Sequence, residues 1–232
     1  MKRILIKLSG EALAQGSGEL YDNSFVDRVA ASLASLSNEG YELAVVVGAG
    51  NIWRGRQGTD MDRTAADRMG MLATVINAIC IKDAVIRAGG SAEVLSAVPM
   101  SPFAEGYSAE KAKSLLSAGS VVIFGGGLGI PFLSTDTAGA VRASEIGADV
   151  MLMAKNVDYI YTDDPNKNPK AERIEKISAS ELLARKLSAI DATATAFCAS
   201  VGMPIRVFGL GTPEDLIKAV KGEALGTVVS PD

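Results

Sequence analysis

Three glycine-bearing segments carry the residue types best suited to hold a polyanion. Each directly follows a short apolar run. Lys7-Leu8-Ser9-Gly10 follows Ile4 to Ile6, and Gly48-Ala49-Gly50-Asn51-Ile52-Trp53-Arg54-Gly55 follows Leu43 to Val47. Gly125-Gly126-Gly127-Leu128-Gly129 follows Val121 to Phe124. Glycine has no Cβ and tolerates positive φ, so backbone N–H groups in such loops can approach an anion closely. Lys7 interrupts an otherwise apolar strand, and a buried ammonium is costly unless it meets an anion or a carboxylate. Three such loops with Lys7 and Arg54 among them point to phosphate chemistry.

Plainer readings stand beside that one. Lys7 could close an internal salt bridge, and Asp67 could simply favour the dipole at a helix start. Thr135-Asp136 could cap the helix behind the third glycine loop, and Asp163-Asp164-Pro165 could be only a turn. Trp53, the single tryptophan, suits packing better than stacking on a base.

Familiar phosphate fingerprints are absent. Trp53 stands where the dinucleotide-binding motif requires glycine, and no Gly-Lys dipeptide exists to form a Walker A loop. The chain contains no histidine, which removes the protein-kinase catalytic loop, Ser-His-Asp and Cys-His nucleophilic sites, and the usual His-ligated zinc.

The elements that must position these residues follow from periodicity. The chain has 232 residues, 48% of them hydrophobic, with a net charge of −4, which predicts a compact protein with no basic field for nucleic acid or anionic membrane. Short β-branched runs are predicted at Ile4–Leu8, Leu43–Val47, Glu93–Ser96, Val121–Phe124, Val150–Met153 and Ile205–Phe208. Helical spacing is predicted from a Ser24 cap to Gly40, from Thr64 to Arg87, from Ser108 to Leu116, from Asp136 to Ile146 and from Thr193 to Val201. Ser178 to Glu181 reads as a capping box, Thr212-Pro213-Glu214 starts a last helix, and Val157 to Tyr161 reads as a small hairpin arm. The uncharged run from Ser114 to Thr135 is broken by glycines and Pro131, so it reads as a helix end, a buried strand and a loop. Cys80 and Cys198 lie far apart in apolar stretches and read as free thiols of a cytoplasmic protein. The alternation predicts an α/β fold: a three-layer αβα sandwich around a central, mostly parallel sheet, in a single domain over 1–232.

In order along the chain, these motifs resemble the bacterial UMP kinases of the amino acid kinase superfamily. The resemblance rests on Lys-Leu-Ser-Gly-Glu-Ala-Leu at 7–13, Gly-Ala-Gly-Asn-Ile-Trp-Arg-Gly at 48–55 and Ala-Asp-Arg-Met-Gly-Met-Leu-Ala-Thr at 66–74. It continues in Gly-Ile-Pro-Phe-Leu-Ser-Thr-Asp at 129–136, Val-Asp-Tyr-Ile-Tyr-Thr-Asp-Asp-Pro at 157–165 and Pro-Ile-Arg-Val-Phe at 204–208. The segments at 67–74 and 131–136 are the specific ones.

The resemblance implies an amino acid kinase-like fold, with acceptor binding in roughly 1–150 and ATP binding in roughly 151–232. It implies transfer of a phosphoryl group from ATP to UMP, in line and without a covalent intermediate, with Mg²⁺, in pyrimidine nucleotide biosynthesis. Lys7 and Arg54 would be catalytic. Lys7, Leu8, Ser9, Gly10, Gly50, Arg54, Asn156, Tyr161 and Asp164 would bind ATP. Ala49, Asp67 and the stretch Leu128, Gly129, Ile130, Pro131, Phe132, Leu133, Ser134 and Thr135 would bind UMP. It also implies a homohexamer, with the apolar helix around Met69 to Ile79 as a candidate interface, and GTP and UTP as candidate effectors near Gln15–Glu19.

Ala49, Leu128, Ile130, Tyr159 and the run Met153-Ala154-Lys155-Asn156 depart from the family pattern, and whether Lys155 reaches phosphate is left open. Another phosphotransferase of the superfamily, acting on an amino acid, carbamate or isopentenyl phosphate, is the rival enzyme. A non-catalytic nucleotide-binding regulator is the rival from another class.

Overall fold

A computed structural model describes residues 2–53, 60–165, 167–187 and 189–232. Its frame is a nine-stranded sheet built from β1 (Arg3–Leu8), β2 (Glu42–Val47), β3 (Ala92–Ser96), β4 (Glu105–Gly106) and β5 (Val121–Gly125). Strands β6 (Val150–Lys155), β9 (Lys176–Ser178), β10 (Ile205–Gly209) and β11 (Thr227–Ser230) complete it. The spatial order is β4-β3-β5-β2-β1-β6-β10-β11-β9, and every pairing is parallel except β10 with β11. A two-stranded antiparallel arm pairs β7 (Ile160–Tyr161) with β8 (Arg173–Ile174).

Both faces of the sheet are covered, which is why its strands are continuous apolar runs rather than alternating ones. One face packs Ile4, Ile6 and Leu8 under α2 (Asn23–Asn38), α3 (Arg63–Arg87) and α8 (Pro213–Lys221). The other packs Leu5, Met151 and Met153 under α4 (Ala109–Ser117), α5 (Thr135–Ile146), α6 (Ala179–Ala184) and α7 (Ala192–Val201). A short α1 (Gly10–Ala14) follows β1 directly. These are the three layers the alternation predicted.

Caps explain where the helices begin. Asp22, rather than Ser24, caps α2 by accepting the Phe25 N–H at 2.9 Å. Ser134, rather than Thr135 or Asp136, caps α5, its hydroxyl accepting the Asp136 and Thr137 N–H groups at 3.1 Å each. Asp191 caps α7 in the same way through Thr193 and Ala194. Helix α3 is long and apolar enough to cross a membrane by length and composition. Here it lies against α2 and the sheet, with Ala73, Val75, Ala78, Ile81 and Val85 in the core. Strand β11, whose four residues Thr227–Ser230 carry no long apolar run, was not foreseen.

The chain leaves β1 toward β2 on one side and later places β6 on the other. The carboxyl ends of β1 and β6 therefore flank the point where the connections diverge, the usual ligand crevice of an open parallel sheet.

Candidate active site

Two cavities meet at that crevice. The first, of about 310 Å³, is walled by Gly10, Gly48, Ala49 and Gly50 from the first two glycine loops and by Trp53, Asp67, Gly70, Met71 and Thr74 around α3. Gly127, Leu128, Ile130, Leu133 and Thr135 close it. The second, of about 720 Å³, is walled by Lys155 to Val157, by Tyr159 to Pro165 on the β7 arm, and by Arg185 to Leu187. Lys7, Ser9 and Glu11 line both, so they form the partition between the two spaces.

The glycine loops meet backbone to backbone. A Cβ on Gly10 would lie 2.6 Å from the Gly50 nitrogen and 2.7 Å from the Gly48 oxygen, closer than any side chain tolerates. Helix α3 pins the other two loops from its buried side. Asn77 is fully buried and donates to the Gly48 carbonyl at 2.7 Å and to Asn51 Oδ1 at 2.8 Å, while accepting the Tyr21 hydroxyl at 2.7 Å. Thr74 accepts the Gly126 N–H at 2.9 Å. Two polar residues three apart on the buried face of an apolar helix were the available signal, and sequence reasoning passed over them.

Asp136 organises the partition. Its Oδ1 lies 2.9 Å from Lys7 Nζ and its Oδ2 lies 2.8 Å from Lys155 Nζ, and all three side chains are largely buried. Strand parity explains the meeting. Lys7 follows Leu5, and Lys155 follows Met151 and Met153, so both lysines face the α5 layer. Asp136 sits there in the first turn of α5. Burial alone would raise the Asp136 carboxyl, but the two ammonium groups outweigh it and hold it below the usual carboxylate range. Burial, and then the like charge of Lys7, push Lys155 below the usual lysine range against the pull of Asp136. Asp191 is likewise held low: the Ser134 and Thr137 hydroxyls, with the α7 N–H groups, overcome the cost of its burial. Asp136 was expected only as a helix cap. Its part became visible when the fold brought residues 7, 136 and 155 together.

The expected residues divide as follows. Lys7, Ser9, Gly10, Ala49, Gly50, Asp67, Leu128, Ile130, Leu133 and Thr135 line the first cavity. Asn156, Tyr161 and Asp164 line the second. Leu8 lines neither cavity: its side chain is fully buried in the core and its carbonyl accepts the Gly48 N–H. Gly129, Pro131, Phe132 and Ser134 belong to the same loop as the lining residues but do not line the cavity. Gly129 backs onto Ala97, and Ser134 caps α5 and bonds Asp191. Arg54 lies outside the described residues.

Asp67 already has partners. Arg63 donates to both its oxygens at 2.9 Å, and the Phe132 N–H donates to Oδ2 at 2.8 Å. The carboxylate thereby ties α3 to the third loop at Phe132, whose φ of 71° is unusual for an aromatic residue. Trp53 donates its indole N–H to the Ala66 carbonyl at 2.9 Å and so stands as a fixed wall of the first cavity.

Comparison with known proteins agrees with this geometry. The family model described as "Amino acid kinase family" matches residues 2–209. A UMP kinase from Bacillus anthracis superposes with a TM-score of 0.95 at 33% identity, over 100% of this chain and 96% of that one. A UMP kinase from Ureaplasma parvum gives 0.93 at 34% identity, over 99% and 98%. A uridylate kinase from Archaeoglobus fulgidus gives 0.75 at 29% identity, over 99% and 100%. An open parallel sheet with paired cavities at its switch point, matched over nearly its whole length by such relatives, places this chain in the amino acid kinase family, within its UMP kinases.

Proposed function

We propose that this protein transfers the terminal phosphoryl group of ATP to UMP, giving ADP and UDP for pyrimidine nucleotide synthesis. The observation that carries the reading is the shared wall: Lys7 and Ser9 border a smaller cavity on the α3 side and a larger one on the β7 side. Two substrates held in those spaces would present their phosphates to each other across Lys7. UMP takes the smaller cavity, with Asp67 toward its ribose, the Ala49 backbone toward its phosphate, and Leu128 to Thr135 around the uracil. Leu128 and Ile130 offer no polar side chain, so some contacts to the base come from backbone groups. ATP takes the larger cavity, its adenosine near Asn156, Tyr161 and Asp164; its phosphates cross the partition at Ser9 toward Gly10 and Gly50 on the smaller-cavity side, with Arg54 as a further phosphate contact.

The chemistry needs little from the chain beyond position and charge. A UMP phosphate oxygen is already an anion, so no general base is required. Its lone pair forms a bond to the γ-phosphorus as the bond from that phosphorus to the bridging oxygen breaks. The electron pair of the broken bond stays on ADP. Lys7, fixed by Asp136, offsets charge on the phosphoryl group in transit.

Mg²⁺ would come with the nucleotide. Among the described residues no three His, Cys, Asp or Glu side chains cluster as a metal cage. Asp163 and Asp164 border the larger cavity, which suits a cation held mainly by phosphate oxygens and water. When bound, the ion neutralises and aligns the phosphates.

The assembly reading rests on α3, where Met69, Leu72, Ile76 and Ile79 form an exposed apolar stripe at helical spacing beside a well-packed core. A second copy would cover it in a homohexamer. The free thiols of Cys80 and Cys198 suit a cytoplasmic setting. GTP and UTP are the candidate effectors; Gln15 and Gly16 border a third cavity of about 450 Å³, and a GTP titration with no change in rate or cooperativity removes that assignment.

The decisive assay is ADP release from Mg·ATP with UMP, CMP, dUMP, carbamate, glutamate and isopentenyl phosphate offered separately. Turnover with UMP alone is expected. Turnover with another acceptor overturns the assignment of Asp67 and the 128–135 loop. Silence with every acceptor while ATP still binds makes the protein a nucleotide-binding regulator.

A further inference from the structure

Asn77 shares the buried face of α3 with Ala73, Ala78 and Ile81, where an apolar side chain would pack without needing a partner. It is fully buried, yet its whole amide is engaged. Its nitrogen donates to the Gly48 carbonyl at 2.7 Å and to Asn51 Oδ1 at 2.8 Å. Its oxygen accepts the Tyr21 hydroxyl at 2.7 Å and Asn51 Nδ2 at 3.2 Å. Asn77 and Asn51 thus form a reciprocal amide pair, and Asn51 also donates to the Leu20 carbonyl at 2.9 Å.

Core packing alone does not account for such a cluster, because a hydrocarbon at position 77 would fill the same space. What the amide adds is direction. The Gly48–Ala49 peptide is trans, so its C=O and N–H point in opposite directions. With the Gly48 carbonyl turned to Asn77, the Ala49 N–H points away from it. Ala49 borders the smaller cavity and Asn77 does not. Among the described residues, no backbone carbonyl accepts the Ala49 N–H. The loop is held on both sides of this peptide: the Gly48 N–H donates to Leu8, and the Ala49 carbonyl accepts the Ile52 and Trp53 N–H groups, each at 2.9 Å.

We infer that Asn77, which touches no substrate, is a positioning residue: it turns the Gly48–Ala49 peptide so that the Ala49 N–H is a fixed donor to the acceptor's phosphate. The inference rests on the kinase reading above and deepens it. The N–H holds one oxygen of that phosphate while another forms the bond to the γ-phosphorus. A donor already oriented needs little reorganisation when the anion arrives. Asn51 keeps the Asn77 amide from rotating, so the hold on Gly48 has a single geometry.

The test sets UMP against uridine, which lacks the phosphate, in wild type, Asn77→Ala, Asn51→Ala and Tyr21→Phe. Calorimetry measures UMP binding, NMR titration measures uridine binding, and steady-state kinetics use Mg·ATP and UMP. Asn77→Ala should weaken UMP about tenfold, roughly the worth of one charge-assisted hydrogen bond, and leave uridine within about twofold. Its kcat should fall about tenfold as well, since a loosely held phosphate is poorly aligned. Asn51→Ala should act in the same sense, weakening UMP about threefold. Tyr21→Phe leaves both donations from Asn77 in place, so neither ligand should change by more than about twofold. Melting temperatures establish folding, and Asn51, half-buried in a loop, serves if Asn77→Ala does not fold.

Equal weakening of UMP and uridine would make Asn77 a purely structural residue and overturns the inference. So does UMP affinity that stays at the wild-type value in folded Asn77→Ala, or in Asn51→Ala where that variant serves. A loss in Tyr21→Phe that matches Asn77→Ala also overturns it, because the whole cluster rather than the hold on Gly48 would then set the loop. If the wild-type protein binds UMP no better than uridine, the acceptor assignment fails instead. ATP set against adenosine in the same proteins then decides whether the loop meets phosphate through Asn77.

Discussion

Replacing Asp136 by Asn removes one charge at almost constant volume. It leaves the ammonium groups of Lys7 and Lys155 facing a neutral amide, with side chains only 8% and 19% exposed. Breaking a buried ion pair by removing one partner costs roughly 3–5 kcal/mol. Lys155 keeps some access to water, so the lower end, about 3 kcal/mol, is the expected loss. For a chain of this size that is about 6–12 °C in melting temperature. The pH dependence has a definite sign. The Asp136 carboxyl is held low in the folded state, so its contribution is complete above its unfolded value of about 4. That contribution is lost as the pH falls through the lower folded value. Thermal melts of wild type and variant should therefore differ fully at pH 7 and converge below pH about 4. Turnover should fall about 10²-fold, because both lysines lose their fixed positions. A difference under about 2 °C at pH 7, or one that does not shrink in acid, would refute the claim that this carboxylate holds the lysines together.

Other consequences can be checked independently. Gly10→Ala places a methyl group against the backbone of the second glycine loop, so urea melts should show a loss of about 1–3 kcal/mol, together with a large loss of activity. Asp67→Asn keeps an acceptor for the Phe132 N–H but loses the charge, so KM for UMP should rise about tenfold with kcat little changed, one charge-assisted hydrogen bond being worth about that; an unchanged UMP dependence counts against the ribose contact. Ile76→Lys on the exposed stripe of α3 should lower the mass seen by light scattering while leaving the monomer folded, and an unaltered mass places the subunit interface elsewhere. Asn77→Leu removes the hydrogen bond to Gly48 and leaves Asn51 and Tyr21 without their buried partner, so a loss of about 1–3 kcal/mol is expected by denaturant titration.

Much of the architecture was legible because it rests on local pattern. Continuous apolar runs separated by helical spacing can be satisfied only by a parallel sheet covered on both faces, and the sequence shows that alternation directly. Glycines directly behind three strands marked the loops that converge at the crevice, because only glycine permits backbones to meet as closely as Gly10 and Gly50 do. Helix starts were less secure. Asp22, Ser24, Ser134 and Thr135 are all chemically able to cap, and only the path of the chain selects Asp22 and Ser134.

The sequence alone determined the layers, the glycine loops, the presence of Lys7 at a strand end and the absence of histidine chemistry. Tertiary structure decided which groups share a charge. Lys7, Asp136 and Lys155 are separated by 129 and 19 positions, and no periodicity links them. They meet because β6 crosses to the far side of β1, strand parity turns both lysines toward α5, and Ser134 starts that helix with Asp136 in its first turn. Charge pairing depends on distance in space, at a scale of a few ångströms, and sequence order does not contain that distance until the sheet is assembled.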